Sequence, residues 1–84
     1  MDMARKKDVD PRVQFGLRLR ELRLASDLSQ EELAHRAGVD RTYVSSCERG
    51  RRNVSLVTLH KFARTLGVKP TALLEPPVSA GEFP

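Results

Sequence analysis

The sequence is poor in the residues that build disulfides, metal sites and membrane spans. It contains one cysteine, which excludes an internal disulfide and a cysteine-rich zinc site. His35 and His60 are far apart, with no third ligand type at metal-binding spacing. No apolar run approaches the roughly 18 residues of a membrane helix, and residues 1–10 contain no apolar core of a secretory signal. These absences predict a cytoplasmic protein with no metal, no cofactor and no membrane contact.

Residue clusters that carry out catalysis are also missing. The sequence has no glycine-rich phosphate loop and no convincing Ser–His–Asp arrangement. A chain of 84 residues forms one domain and buries only about 60–65% of its unfolded surface, so the core is thin. We therefore expect a protein that is not an enzyme, and one that oligomerisation would help to stabilise.

Positive charge, by contrast, is concentrated in one stretch. The chain has a net charge of +4, and residues 41–53 hold four arginines against Glu48 alone. A basic stripe of this kind favours a polyanionic partner. On charge alone, a basic face that is merely solvated is the alternative.

Residues 29–53 predict two short helices joined by a glycine turn. Ser29 and Glu32 have the spacing of a capping box, in which each side chain bonds the backbone N–H of the other. Gly38 suits the left-handed conformation that ends a helix. Asp40 is expected to cap the second helix, which ends before the next glycine. Two helices at this spacing are typical of a helix-turn-helix.

The flanking segments add three more helical patterns, and none shows the alternation of a strand. The sequence therefore predicts an all-α, compact five-helix domain over residues 11–74. Residues 1–10 have little to bury and are expected to form a flexible arm. Residues 75–84 are rich in proline and glycine and are expected to form a flexible tail.

Three motifs, in this order, resemble the Xre/Cro/CI family of helix-turn-helix transcription regulators. They are FGLRLRELR, LSQEELAHRAGVDRTYVSSCERGRRN and SLVTLHKFARTLGVKPTALL. The run RTYVSSCERGRRNVSL is most similar to the small controller proteins of restriction–modification systems. The resemblance implies a phage-repressor-like fold and a sequence-specific regulator. Such a protein binds a palindromic operator in double-stranded DNA as a homodimer, with the third helix in the major groove.

The resemblance also implies that Arg41, Thr42 and Ser46 face the bases. The Arg41 guanidinium can bind guanine O6 and N7 together, although a phosphate contact or an ion pair with Asp40 is the alternative. Thr42 can offer its methyl group to thymine. Ser46 is shorter than the residue that the family often has there, so base reading is expected to depend on Arg41.

Six further polar residues are expected to contact the DNA backbone or to make mixed contacts. The resemblance implies a phosphate contact for Gln30 and a DNA contact for Arg52. Tyr43 could lie along the backbone or pack against the preceding helix, and Ser45 either donates to DNA or only faces solvent. The full set is Gln30, Tyr43, Ser45, Arg49, Arg52 and Asn53.

Three features of the pattern concern structure and assembly rather than reading of the bases. Arg23 and Glu48 are a family-like pair, expected to join the first helix to the end of the third. Cys47 falls on the inward face of that helix and is predicted to be a small buried residue. Apolar residues outside the DNA-binding helices are expected at a dimer interface, namely Val54, Leu56, Leu73 and Leu74.

RNA polymerase is a further candidate partner, since activation of transcription requires contact with it.

Two other functions remain open from the sequence. An antitoxin or a protein-binding adaptor could use the same fold. An antitoxin normally carries an added segment that wraps its toxin, and the ten-residue tail is short for that role.

Overall fold

The computed structural model describes residues 10–78, and every regular element within them is helical. The all-α prediction is confirmed. No helix in this part of the chain is both long and apolar enough to cross a membrane. The elements are α1 (Pro11–Ala25), α2 (Gln30–Ala37), α3 (Arg41–Glu48), α4 (Leu56–Leu66) and a 3-10 helix (Pro70–Leu74).

Local sequence signals set most of the helix ends. The capping box at the start of α2 is complete, with Ser29 Oγ 3.0 Å from the Glu32 backbone N and the Glu32 carboxylate 2.9 Å from the Ser29 backbone N. Gly38 ends α2 in the left-handed conformation, with φ 76°. The prediction for Asp40 is wrong, because its side chain makes no capping hydrogen bond. The extended backbone of Asp40 alone leads into α3.

The fifth predicted helix forms as a 3-10 helix of five residues. Its residue Leu73 is completely buried, in the same core cluster as Phe62. The expectation that Leu73 lies at a dimer interface is therefore wrong. The tighter 3-10 turn carries Leu73 into the chain's own core and leaves Leu74 exposed.

The core lies between α1, α2, α3 and α4. The rings of Phe15 on α1 and Phe62 on α4 are 6.4 Å apart, and Leu19, Leu33 and Val44 are completely buried around them. Cys47 is 1% exposed, so it occupies the inward position that the helical spacing predicts. The core thus fixes α3 through its inner face and leaves its outer face open to solvent.

Residues 75–78, assigned above to a flexible tail, contact α1. The Arg18 guanidinium donates to the Ala72 carbonyl oxygen at 2.8 Å and to the Glu75 carboxylate at 3.4 Å. The Val78 backbone N–H donates to the Glu21 carboxylate at 3.0 Å. The start of the predicted tail is thus hydrogen-bonded to α1 through Glu75 and Val78. The boundary at residue 74 stays a prediction. The rest of the predicted tail, and residues 1–9 of the predicted arm, lie outside the described residues.

Candidate nucleic-acid interface

The elements α2 and α3 form the helix-turn-helix. The turn between them is closed by the Val39 backbone N–H, which donates to the Ala34 carbonyl oxygen at 2.9 Å. The Val39 side chain packs against the core cluster and so fills the angle between the helices. The first residues of α3 are exposed. In helix-turn-helix proteins this end of the second helix enters the major groove.

Arg41 and Thr42 begin α3, and both are exposed. Within residues 10–78, Arg41 makes no ion pair, so the alternative of a pair with Asp40 is wrong. The Arg41 guanidinium keeps its full set of N–H donors for a partner outside the chain.

Ser46, the third predicted base reader, is half-buried, and its hydroxyl is hydrogen-bonded within the protein. Its Oγ donates to the Tyr43 carbonyl oxygen at 3.0 Å and accepts from Arg52 Nε at 2.9 Å. The Arg52 guanidinium carbon lies 5.1 Å from the centre of the Tyr43 ring, which is cation–π distance. Ser46, a predicted base reader, therefore forms one cluster on the flank of α3 with Tyr43 and Arg52, which are both predicted to make backbone or mixed contacts.

The Tyr43 ring packs against α4. It stacks on Phe62, with centroids 6.5 Å apart and planes 24° apart. The sequence offers packing against α2 as the alternative to a DNA contact; the ring contact of Tyr43 is with α4, and Tyr43 also packs on the core cluster to which α2 contributes. Burial raises the pKa of the Tyr43 hydroxyl, and neighbouring Cys47 raises it further. Burial also raises the pKa of the Cys47 thiol, to about 11.

The next turn of α3 carries a second polar pair. The Arg49 guanidinium donates to the Ser45 hydroxyl, one helical turn earlier. Arg49 and Asn53 are exposed, and Ser45 is half-buried. These side chains extend the polar surface of α3 from Arg41 towards the loop that follows the helix.

Gln30 is connected to the core by a buried ion pair. Glu48 accepts from Arg23 Nε at 2.6 Å and from Arg23 Nη2 at 2.9 Å, and the third Arg23 nitrogen donates to the Leu28 carbonyl oxygen at 2.8 Å. Glu48 also accepts from the Gln30 carboxamide at 3.0 Å. Arg23 and Glu48 are 7% and 8% exposed, so a desolvated network joins α1 and the end of α3 to the first residue of α2.

Two apolar residues at the start of α4 are strongly exposed: Leu56 by 75% and Val57 by 67%. Leu74 is 57% exposed and borders a groove of about 130 Å³ whose other apolar lining is Pro11, Phe15, Val54 and Leu59. Val57 is not among the interface residues that the sequence predicts. Its position off the core-facing spacing of α4 is the signal that could have found it. Among residues 10–78, no group of three His, Cys, Asp or Glu residues is placed to hold a metal ion.

A sequence profile that describes a helix-turn-helix domain matches residues 14–76, which span α1 to the end of the 3-10 helix. This chain belongs to the helix-turn-helix family of transcription regulators. Its resemblance to the controller proteins of restriction–modification systems is confirmed by both sequence and structure.

Three relatives of this helix-turn-helix chain illustrate the match. Control protein C.BamHI of Bacillus amyloliquefaciens is 48% identical over 65 residues, which are 76% of this chain and 80% of that protein. The restriction–modification controller protein C.AhdI from Aeromonas hydrophila has a TM-score of 0.72 at 56% identity, covering 74% of this chain and 94% of that one. The biofilm master regulator SinR, solved in complex with DNA, has a TM-score of 0.70 at 37% identity, covering 73% and 98%.

Proposed function

We propose that this helix-turn-helix regulator binds a palindromic operator in double-stranded DNA as a homodimer, and that it is the controller protein of a restriction–modification system. The observation that carries the proposal is the exposed, basic outer face of α3, with Arg41 unpaired among the described residues. The controller relatives favour this function over an antitoxin or an adaptor. The DNA complex of SinR supports DNA as the partner.

Within this proposal, Arg41 and Thr42 contact the bases and define the preferred sequence. A bidentate contact from Arg41 to guanine would contribute about 1–3 kcal/mol of discrimination. Gln30, Arg49 and Asn53 hold the protein on the phosphates, which sets the position of α3 without selecting a sequence.

The proposed dimer uses the apolar surface beside the 3-10 helix. Leu74 and Val54 line the same groove, and the exposed Leu56 and Val57 follow Val54 in the chain at the start of α4. We propose that these projecting side chains and the groove form one face. A two-fold axis through such a face pairs each projection with the partner's recess. Two recognition helices set about 34 Å apart would then read both halves of a palindrome.

The decisive experiment is selection of bound DNA from a random pool with the purified protein. We expect enrichment of a palindrome, and a log–log salt slope of about −0.9 per phosphate contacted. Arg41→Ala should abolish the sequence preference and keep non-specific binding, whereas Arg64→Ala, which removes an exposed arginine from α4, should keep both. A pool without enrichment, together with a flat salt dependence, would contradict the proposal.

The controller assignment has its own test. The neighbouring genes should encode a restriction nuclease and a methyltransferase. The protein would then act in the cytoplasm, with RNA polymerase as a further partner at the promoter. Sedimentation should show a dimer at tens of micromolar, and Leu74→Lys should shift it to monomer because a charge would be buried at the interface.

A further inference from the structure

We propose that Ser46 and Tyr43 are positioning residues that hold Arg52 on the flank of α3 as a preformed fork for paired acceptors on DNA. In this arrangement Ser46 has no proton to donate to a base, and the two terminal amino groups of Arg52 make the DNA contact from that position. The inference rests on the proposed function and names a part of its binding surface.

The chain reverses direction after α3, and this reversal brings Arg52 back to the helix. Gly50 has φ 77°, and its backbone N–H donates to the Cys47 carbonyl oxygen at 3.0 Å. The Arg51 backbone N–H then donates to the Ser46 carbonyl oxygen at 3.0 Å. These hydrogen bonds close the turn and place the next residue, Arg52, beside the last turns of α3.

The hydrogen bonds of Ser46 have a fixed direction. A serine hydroxyl has one proton and two lone pairs. Ser46 donates its proton to the Tyr43 carbonyl oxygen, which leaves a lone pair for Arg52 Nε. Because the single proton is already used, the hydroxyl cannot also donate to a base without breaking this chain.

The ring of Tyr43 supplies a second, rigid support. The guanidinium of Arg52 lies over this ring, and the ring stacks on Phe62, which is completely buried. Arginine stacks well on an aromatic face because its guanidinium is planar and weakly hydrated. The position of Arg52 is therefore connected to the core through two ring contacts.

Counting donors shows which edge of Arg52 remains. A guanidinium has five N–H donors, and a bidentate contact uses either the edge with Nε or the edge with both terminal nitrogens. Ser46 occupies Nε, while Arg52 makes no ion pair among the described residues. The terminal edge matches guanine O6 and N7, or two oxygens of one phosphate. A side chain already ordered for that contact loses less entropy on binding.

The test is a double-mutant cycle on operator affinity with Ser46→Ala and Arg52→Ala. Loss of one hydrogen bond, about 0.5–1.5 kcal/mol, corresponds to roughly 2- to 13-fold weaker binding for Ser46→Ala. The double variant should bind no more weakly than Arg52→Ala alone. Ser45→Ala is the matched control, since Ser45 contacts Arg49, and its effect should add to that of Arg52→Ala. Additive effects of Ser46→Ala and Arg52→Ala would overturn the inference.

The same variants distinguish the two kinds of acceptor. If the fork meets guanine, Arg52→Ala relaxes selection at one base pair of each half-site. If it meets a phosphate, affinity falls evenly across sequences and the salt slope decreases by about 1. Either result supports a DNA contact by Arg52, and unchanged affinity and selection would contradict it.

A measurement without DNA separates this inference from the proposed function. In the free protein, NMR should show slower exchange of the Arg52 Nε–H than of the Arg51 Nε–H. The Arg52 Nε–H is hydrogen-bonded to Ser46 Oγ, whereas Arg51 makes no ion pair among residues 10–78. Ser46→Ala should remove this difference. Equal exchange in the unaltered protein would refute the preformed fork, even if operator binding is demonstrated. Failure to bind any operator would refute the proposed function and leave the exchange result intact.

Discussion

A Cβ atom placed on Gly16 would lie 2.8 Å from the carbonyl oxygen of Glu48. Gly16 is in the middle of α1, and Glu48 is the last residue of α3, so the two helices touch through their backbones. Real side chains do not approach a carbonyl group this closely. Glycine at position 16 therefore sets how deeply the C-terminal end of α3 packs into the domain.

Gly16→Ala should lower the free energy of unfolding by about 1–3 kcal/mol, because the added methyl group forces the two helices apart. This loss should appear even though the helix propensity of alanine is more favourable than that of glycine by about 1 kcal/mol. Urea unfolding provides the measurement. Arg20→Ala, at an exposed site on the same helix, should stay within about 0.5 kcal/mol of the unaltered protein. Equal or higher stability of Gly16→Ala would show that α1 can move away without cost.

Arg23→Met should reduce the free energy of unfolding by about 3–5 kcal/mol, because it leaves the Glu48 carboxylate buried without its cation. Thermal and urea unfolding would both register the change. Arg12→Met is the matched control, since it breaks the exposed pair of Arg12 with Asp10 and should have little effect. Similar losses for the two variants would mean that burial adds nothing to the cost.

Ser29→Ala and Asp40→Ala should differ, although both residues precede a helix at the capping position. Ser29 accepts the backbone N–H of Glu32, so its removal should cost about 0.5–2 kcal/mol. The Asp40 side chain makes no capping hydrogen bond, so its removal should cost less. Chemical unfolding of the two variants side by side provides the comparison, and a larger loss for Asp40→Ala would contradict the assignment of caps.

Cys47 should make stability fall at alkaline pH. Its pKa is about 11 in the folded protein against an ordinary value of 9.0, so the unfolded chain loses the proton first as pH rises. The contribution is complete below about pH 9 and is lost progressively up to about pH 11, at no more than about 1.4 kcal/mol per pH unit. The free energy of unfolding of the unaltered protein should therefore fall relative to that of Cys47→Ala across this range. A constant difference would show that the thiol has no such shift.

The parts of the fold that depend on local signals follow from the sequence. The capping box at Ser29, the left-handed glycine at position 38 and the apolar spacing of α1 and α4 each act within a few residues. Cys47 follows from helical spacing in the same way. The Arg23–Glu48 pairing comes from the family resemblance, because 25 positions separate the two residues and spacing alone gives no partner.

The features that the sequence did not predict depend on contacts between distant segments. Leu73 and Leu74 are adjacent apolar residues, and only the turn of the 3-10 helix decides which one enters the core. Residues 75–78 have the composition of a tail, but their contacts come from Arg18 and Glu21, more than 50 positions earlier. The cluster of Ser46 with Arg52 likewise depends on how the chain turns at Gly50, which no helical pattern specifies.

The hydrogen bonds of Glu48 have a consequence for how such a regulator can change its target sequence. One carboxylate holds α1 through Arg23 and holds Gln30, the proposed phosphate contact, so a change there would alter folding and, under the proposal, DNA affinity together. Arg41 and Thr42 lie on the exposed face, outside this network, and exchanging them leaves the core contacts intact. Under the proposed base contacts, substitutions in the first turn of α3 would change operator preference without disturbing the residues that hold the helix in place.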